Sequence, residues 1–183
     1  MRKLSLRGPV LFFVAMAAVI AHAEPYIGAS GGRSESDLSC SGFDSCDKRS
    51  GAWTVRGGYH FSPYVSLEAR YVDLGTSSFN TASGSTNLKG DGTGVDAVFS
   101  WPFYDRWNLS GMLGVGRMTA KATGDIGGSG SSSSTKPWFG VALGYDVGFN
   151  VIASVEAERY RIPAAGDSAN VDLITVGLTY NFR

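Results

Sequence analysis

Residues 53–73 read Trp-Thr-Val-Arg-Gly-Gly-Tyr-His-Phe-Ser-Pro-Tyr-Val-Ser-Leu-Glu-Ala-Arg-Tyr-Val-Asp, and this stretch decides between folds. Trp53, Val55, Gly57, Tyr59 and Phe61 alternate with Thr54, Arg56, Gly58 and His60. Past Ser62-Pro63 the alternation resumes, with Val65, Leu67, Ala69 and Tyr71 set against Ser66, Glu68 and Arg70. A period of two is the period of a strand, and a Ser-Pro pair between two such runs marks a turn. The stretch is therefore a hairpin with one bulky apolar face. Its other face is small, polar and charged.

The same alternation recurs over 95–101, 107–116, 139–145, 151–158 and 174–182, with a glycine-blurred strand over 25–33. That makes about eight strands, an even number. Short turns are expected near 62–63, 102–106 and 146–150. Long polar loops are expected over 34–51, 75–92, 119–136 and 162–170. The Gly/Ser tract over 127–135 is expected to be flexible, with nothing to pack into a core. Short turns at one end and long loops at the other are the asymmetry of a membrane barrel. A short echo supports the hairpin plan: Gly58-Tyr59 leads to Ser66-Leu67-Glu68-Ala69, and Gly144-Tyr145 leads to Ser154-Val155-Glu156-Ala157.

The 183-residue chain opens with a basic segment, Arg2, Lys3 and Arg7, then a short uncharged run and Ala21-His22-Ala23. This pattern reads as a cleaved secretory leader over 1–23, with a mature domain over 24–183. Removing the leader takes away three cations and leaves a mildly acidic chain. Formal charge over the full chain is zero, so no electrostatic footprint for nucleic acid is present. Two cysteines are too few for a disulfide-built scaffold, and no Cys/His cluster suggests a metal. No cofactor is expected.

Alternation does not say which face meets lipid, because a soluble lipocalin-like barrel turns its apolar face inward. Volume decides. An eight-stranded barrel has an interior just wide enough for side chains. It cannot hold Trp53, Tyr59, Phe61, Tyr71, Phe99, Trp101, Trp107, Phe139, Tyr145, Tyr180 and Phe182 together. These rings also sort toward strand ends and leave aliphatic residues between them, as two interfacial girdles do. The expected fold is all-β: an eight-stranded antiparallel up-and-down transmembrane β-barrel. The apolar parity faces outward and the small polar parity faces the lumen.

With these residues in place, the chain resembles the small OmpA/OmpX-type outer-membrane barrels. The resemblance is carried by Tyr26-Ile27-Gly28, by Gly58-Tyr59-His60-Phe61 with Leu67-Glu68-Ala69-Arg70-Tyr71, and by the closing Leu178-Thr179-Tyr180-Asn181-Phe182. It implies a Gram-negative outer-membrane location and lipid and lipopolysaccharide neighbours. It also implies an assembly signal at Leu178, Tyr180 and Phe182, read by the outer-membrane assembly machinery. The family signal ends in an aromatic residue, whereas this chain adds Arg183.

Candidate sites follow from position. Cys40 and Cys46 share one loop on the oxidising side and read as a disulfide, adding about 2 kcal/mol in the chain-entropy model. Arg56, Glu68, Arg70, Asp96, Glu156 and Glu158 share the lumen parity. Confined charges must be paired or hydrated, so a structural ion-pair network is expected, with a gate for a narrow pore as the sharper reading. Arg117, Arg159 and Arg161 share the outward parity at the loop ends, where they could meet lipid A phosphates. His60-Phe61-Ser62 resembles the His-x-Ser of outer-membrane lipid A deacylases but falls at the wrong end for lipid A. The chain is thus read as a non-enzymatic barrel, expected to be monomeric, with a structural or surface-interaction role such as envelope integrity or adhesion through its loops. A lipid A-modifying barrel enzyme is the alternative.

Overall fold

A computed structural model of the protein describes residues 24–37, 45–47, 49–81, 84–124, 129–164 and 167–182. The expected leader, Cys40 and Arg183 lie outside the described residues. Among the described residues nine strands follow one another: β1 (Glu24–Ser36), β2 (Ser45–Asp47), β3 (Arg49–Ser62), β4 (Val65–Thr81), β5 (Gly84–Tyr104), β6 (Trp107–Gly124), β7 (Gly130–Gly148), β8 (Val151–Ala164) and β9 (Asp167–Asn181). Among the described residues there is no helix.

Eight of these strands are the staves of a closed barrel. Each pairs antiparallel with its sequence neighbour, and β1 also pairs with β9, from Tyr26↔Asn181 to Ser36↔Val171. The three-residue β2 lies on β4 at Cys46↔Phe79, beyond the Trp53↔Asp73 pair where β3 leaves that strand.

Local chemistry explains the turns. At the 62–65 turn the Ser62 hydroxyl accepts from the backbone N–H groups of Tyr64 (3.2 Å) and Val65 (3.1 Å). Phe149 and Asn150 both have positive φ, 56° and 63°, which is the type I′ geometry that suits the right-handed twist of a two-residue hairpin. The Asp146 carboxylate steadies this turn by accepting from Gly148 N–H at 2.8 Å.

The two parities separate as the alternation requires. Thr175 is 1% exposed and its neighbour Val176 is 65% exposed. Tyr59, Trp101, Trp107 and Tyr180 ring the short-turn end of the outer surface, and Trp53 and Phe139 mark the other end. Leu109, Leu113, Val141 and Val155 occupy the band between them. Ring pairs tie neighbouring staves within the girdles: Trp53 with Tyr71 at 5.2 Å and Trp107 with Tyr145 at 4.9 Å.

Two expectations are corrected. The long polar segments are largely strand rather than loop. β4 continues to Thr81 and β5 resumes at Gly84, giving β5 21 residues where about 9–11 cross a bilayer. The expected flexible Gly/Ser tract is ladder as well, since Gly130 through Thr135 pair with Ala122 through Arg117 on β6. The segments over 34–51 and 162–170 shorten likewise, with β1 reaching Ser36 and β8 reaching Ala164. Above the bilayer both faces of a sheet can be polar, so alternation disappears while backbone pairing persists. Neither 75–92 nor 119–135 contains a proline to stop it.

The lumen is the second correction. It is not uniformly small and polar. Its upper part, away from the short turns, is an apolar plug of Val72, Leu74, Met118, Trp138, Tyr160 and Leu173 with smaller neighbours. Glycines on the neighbouring staves β5 and β6 make room for the largest ring. A Cβ on Gly94 would collide with the Trp138 indole, and one on Gly114 with both that indole and the Asp96 carboxylate.

The outward parity gives a direct prediction. Leu113 is 61% exposed at mid-stave, so Leu113→Arg is expected to cost roughly 2–4 kcal/mol in urea titrations of folding into lipid vesicles. An unchanged titration would mean that this face does not meet hydrocarbon.

Candidate functional site

Below the plug lies a layer of six buried ionisable side chains contributed by four staves. Arg56 comes from β3, Glu68 and Arg70 from β4, Asp96 from β5, and Glu156 and Glu158 from β8. Cross-strand register shows why the pairs are not simple neighbours. Arg56 sits opposite Arg70 and Glu68 opposite Asp96, so directly facing residues carry like charge. Like charges directly opposite repel, and the layer is stable only because the diagonals and the far wall carry the opposite sign.

Arg56 reaches across the lumen to Glu156 with a two-point contact, Nη1 to Oε2 at 2.7 Å and Nη2 to Oε1 at 2.5 Å. Glu156 also accepts from the Ser154 hydroxyl at 2.7 Å, and Arg56 donates to Thr179 Oγ1 at 3.2 Å. Arg70 is the hub. It lies against Glu68 Oε1 at 2.5 Å, Asp96 Oδ2 at 2.6 Å and Glu158 Oε1. Two phenols complete the layer: Tyr26 donates to Glu68 Oε2 at 2.9 Å and Tyr160 to Glu158 Oε2 at 2.6 Å. Four carboxyl groups thus share two guanidiniums, and phenolic and alcoholic donors supply the rest.

The structure therefore brings together all six lumen residues singled out from the sequence. Arg56 makes its close two-point contact with Glu156, while Glu68 approaches the same guanidinium to 4.0 Å. The sequence echo has a physical meaning here: its two copies deliver Glu68 and Glu156 from different walls to the same guanidinium layer. Tyr26, Trp138 and Tyr160 were missed. Their only signal was that each falls on the lumen parity of its strand.

Toward the short turns the lumen opens into a cavity of about 560 Å³, lined in part by Tyr26, Arg56, His60, Ser66, Asn108 and Asn181. His60 does not pair with Ser62, whose hydroxyl serves the turn. A bulge between His60 and Ser62 shifts the register, and His60 instead faces Ser66 at 2.6 Å. The His-x-Ser spacing is thus a turn feature.

The remaining residues lie elsewhere. Arg117, Arg159 and Arg161 point outward on β6 and β8. Arg159 is held by Asp172 through two contacts of 2.6 Å, while among the described residues Arg117 and Arg161 make no ion pair. Higher up, the hydrogen bond that Lys89 donates to the Asp73 carboxylate holds its ammonium above its ordinary range. Leu178, Tyr180 and Phe182 all face outward, with Tyr180 and Phe182 edge to face at 5.0 Å. The pairing of Cys40 with Cys46 falls outside the described residues, though the Cys46 backbone belongs to β2.

A closed antiparallel barrel with an aliphatic outer band between aromatic girdles, and a lumen filled by ion pairs and a plug, is an integral outer-membrane protein. The chain belongs to the family of the outer membrane protein beta-barrel domain, whose model matches residues 9–182. Among solved structures it is similar to Ail, the attachment invasion locus protein of Yersinia pestis, solved in complex with the heparin analogue sucrose octasulfate. Identity is 20%, with a TM-score of 0.57, covering 87% of this chain and 97% of that one. It is also similar to Neisserial surface protein A (18% identity, TM-score 0.57, covering 86% and 97%). A third is the N-terminal beta-barrel domain of Pseudomonas aeruginosa OprF (16% identity, TM-score 0.53, covering 87% and 97%). At these identities the likeness is one of fold. No curated protein matches the chain in sequence. In such barrels short turns are periplasmic and longer connections extracellular, so the ionised layer and cavity lie toward the periplasm.

The hub gives the test of this site. Arg70→Leu strands Glu68, Asp96 and Glu158 without a cation, and is expected to cost about 3–5 kcal/mol in urea unfolding. A loss under 1 kcal/mol would show that the layer is hydrated rather than paired.

Proposed function

We propose that the barrel is a closed, membrane-anchored mount for extracellular hairpins, with a surface-interaction role such as adhesion rather than solute conduction. The observation that carries this reading is the length of the central staves. β4 to β7 hold 17, 21, 18 and 19 residues, well beyond the roughly 9–11 a tilted strand needs to cross hydrocarbon. They project a paired, polar, serine- and threonine-rich sheet into the medium. A ladder of this kind presents side chains at low conformational cost, because its backbone is already ordered. The filled lumen supports the same reading: an ion-pair layer and an apolar plug lie in series on any path through it.

Polyanion recognition by a protein of the same fold makes immobilised heparin a suitable first probe. Outward cations rim the projecting sheet, among them Arg117 and Lys89. Replacing 77–86 and 120–132 by two-residue turns is expected to leave heat-dependent gel mobility intact while reducing adherence of expressing cells to coated surfaces at least several-fold. Undiminished adherence would remove the surface role. Planar-bilayer recordings of the intact barrel are expected to be silent, and steady unitary currents would restore the pore.

Arg117 and Arg161, which make no ion pair among the described residues and sit at the outer rim, are the residues we assign to lipopolysaccharide phosphates. Arg159 is not included, since Asp172 already occupies its guanidinium. Glutamine at both positions is expected to weaken lipopolysaccharide binding several-fold, and unchanged binding would count against the contact. The lipid A-modifying alternative loses its motif with Ser62 committed to the turn. The reading also takes 1–23 as a cleaved leader, so N-terminal sequencing of the membrane form is expected to begin at Glu24.

A further inference from the structure

The periplasmic cavity holds an arrangement that neither the surface role nor the ion-pair layer uses. The His60 imidazole lies between two polar side chains, Ser66 Oγ at 2.6 Å from Nδ1 and Asn181 Oδ1 at 2.9 Å from Nε2. Its ring is stacked on Tyr26, with centroids 4.3 Å apart and planes at 24°. Three strands meet here: β3 supplies the histidine, β4 the serine and β9 the asparagine.

The hydrogen bonds determine the tautomer. Asn181 Nδ2 points at the Asn150 carbonyl oxygen, 3.5 Å away, which turns Oδ1 toward the imidazole. An amide oxygen only accepts, so Nε2 carries the hydrogen. Nδ1 is then the bare nitrogen, and Ser66 Oγ donates to it. This is the order a serine nucleophile requires: hydroxyl to base, and base to an orienting acceptor.

We propose that Ser66, His60 and Asn181 form an acyl-transfer site that takes small esters from the periplasm. Ser66 is the nucleophile, His60 the general base, and Asn181 a positioning residue acting through the histidine. Ser66 Oγ attacks the ester carbonyl carbon and its proton passes to Nδ1. The C–O bond to the alcohol then breaks, and the imidazolium returns the proton to the departing alkoxide. Water repeats the sequence on the acyl-serine, releasing a carboxylic acid and restoring Ser66.

The cavity sets the substrate class. It is about 560 Å³ in volume, and Val98, Met112, Ala142 and Ile152 give it an apolar wall. A short acyl chain suits that wall, while the polar floor suits a small alcohol. Lipid A is excluded by place, since it lies in the outer leaflet. Barrel strands use their backbone N–H groups in the ladder, so a backbone oxyanion hole is not available and turnover is slow. The acylation step is therefore the one to measure. The proposal stands on the fold alone and is independent of the surface role.

The experiment treats the full chain, folded in detergent micelles, with a short-chain fluorophosphonate, and maps the adduct by peptide mass spectrometry. Fluoride leaves as the Ser66 Oγ–phosphorus bond forms. The label is expected on Ser66 in preference to every other serine. His60→Gln is expected to slow labelling by about 100-fold or more while the barrel keeps its heat-dependent mobility. Asn181→Leu is expected to slow it too, and Asn181→Asp, which retains an acceptor for Nε2–H, to restore most of the rate. Label absent from Ser66, spread evenly over the lumen serines, or indifferent to His60→Gln in a folded barrel would overturn the proposal. The wild-type adduct map needs no variant, so a folding failure in a mutant leaves the test intact.

Discussion

The constraint behind this structure is that a peptide group in hydrocarbon has no water to bond. Each unpaired N–H or C=O there costs several kcal/mol, so strands can cross only as a sheet without edges. The β1–β9 ladder meets that demand, carrying the first and last staves into register over Tyr26↔Asn181 to Ser36↔Val171. Once the cylinder is closed, alternation along each strand becomes a division between lipid and lumen. The two populations of side chain then face different problems. The outer one has to match a bilayer. The inner one has to fill a narrow bore.

The bore is filled in layers, and each layer answers its own physical demand. The apolar plug removes solvent where Trp138 lies over glycines. The ion-pair layer puts ionised groups where they are almost wholly buried, with Glu156 at 1% and Arg70 at 4% exposure. Such a layer adds less net stability than its contacts suggest, since desolvation offsets much of the attraction. What it does supply is register, because a one-residue slip of β4 would turn Glu68 and Arg70 out into lipid. The open cavity below is polar on one wall and apolar on the other, and there the bulge beside Ser62 lets His60 meet Ser66.

Much of this could be read from residue order. Alternation located the eight staves, and ring volume against bore size turned the right face outward. Shared parity also collected Arg56, Glu68, Arg70, Asp96, Glu156 and Glu158. Parity names a face but not a height or a partner, and so it leaves Glu68, Glu156 and Glu158 all open as partners of the lumen arginines, whereas the structure gives Arg56 its two-point contact with Glu156 on the far wall. The projecting hairpins were invisible for a related reason. Their serines, threonines and glycines carry no two-face contrast, because water on both sides imposes none. The His60–Ser66 contact depends on a single bulged residue, which shifts the register beyond what spacing can reveal.

The most direct test of the account is a nitroxide scan along β6, residues 109–116, in lipid vesicles, reading collision with oxygen against a water-soluble nickel complex. The account predicts oxygen-favoured collisions at Leu109, Gly111, Leu113 and Val115, and low oxygen accessibility at Ser110, Met112, Gly114 and Gly116, with the nickel complex reaching Ser110 and Met112, which line the open cavity, more than Gly114 and Gly116. A uniform profile, or one with the two sets exchanged, would contradict the division of faces on which the barrel depends.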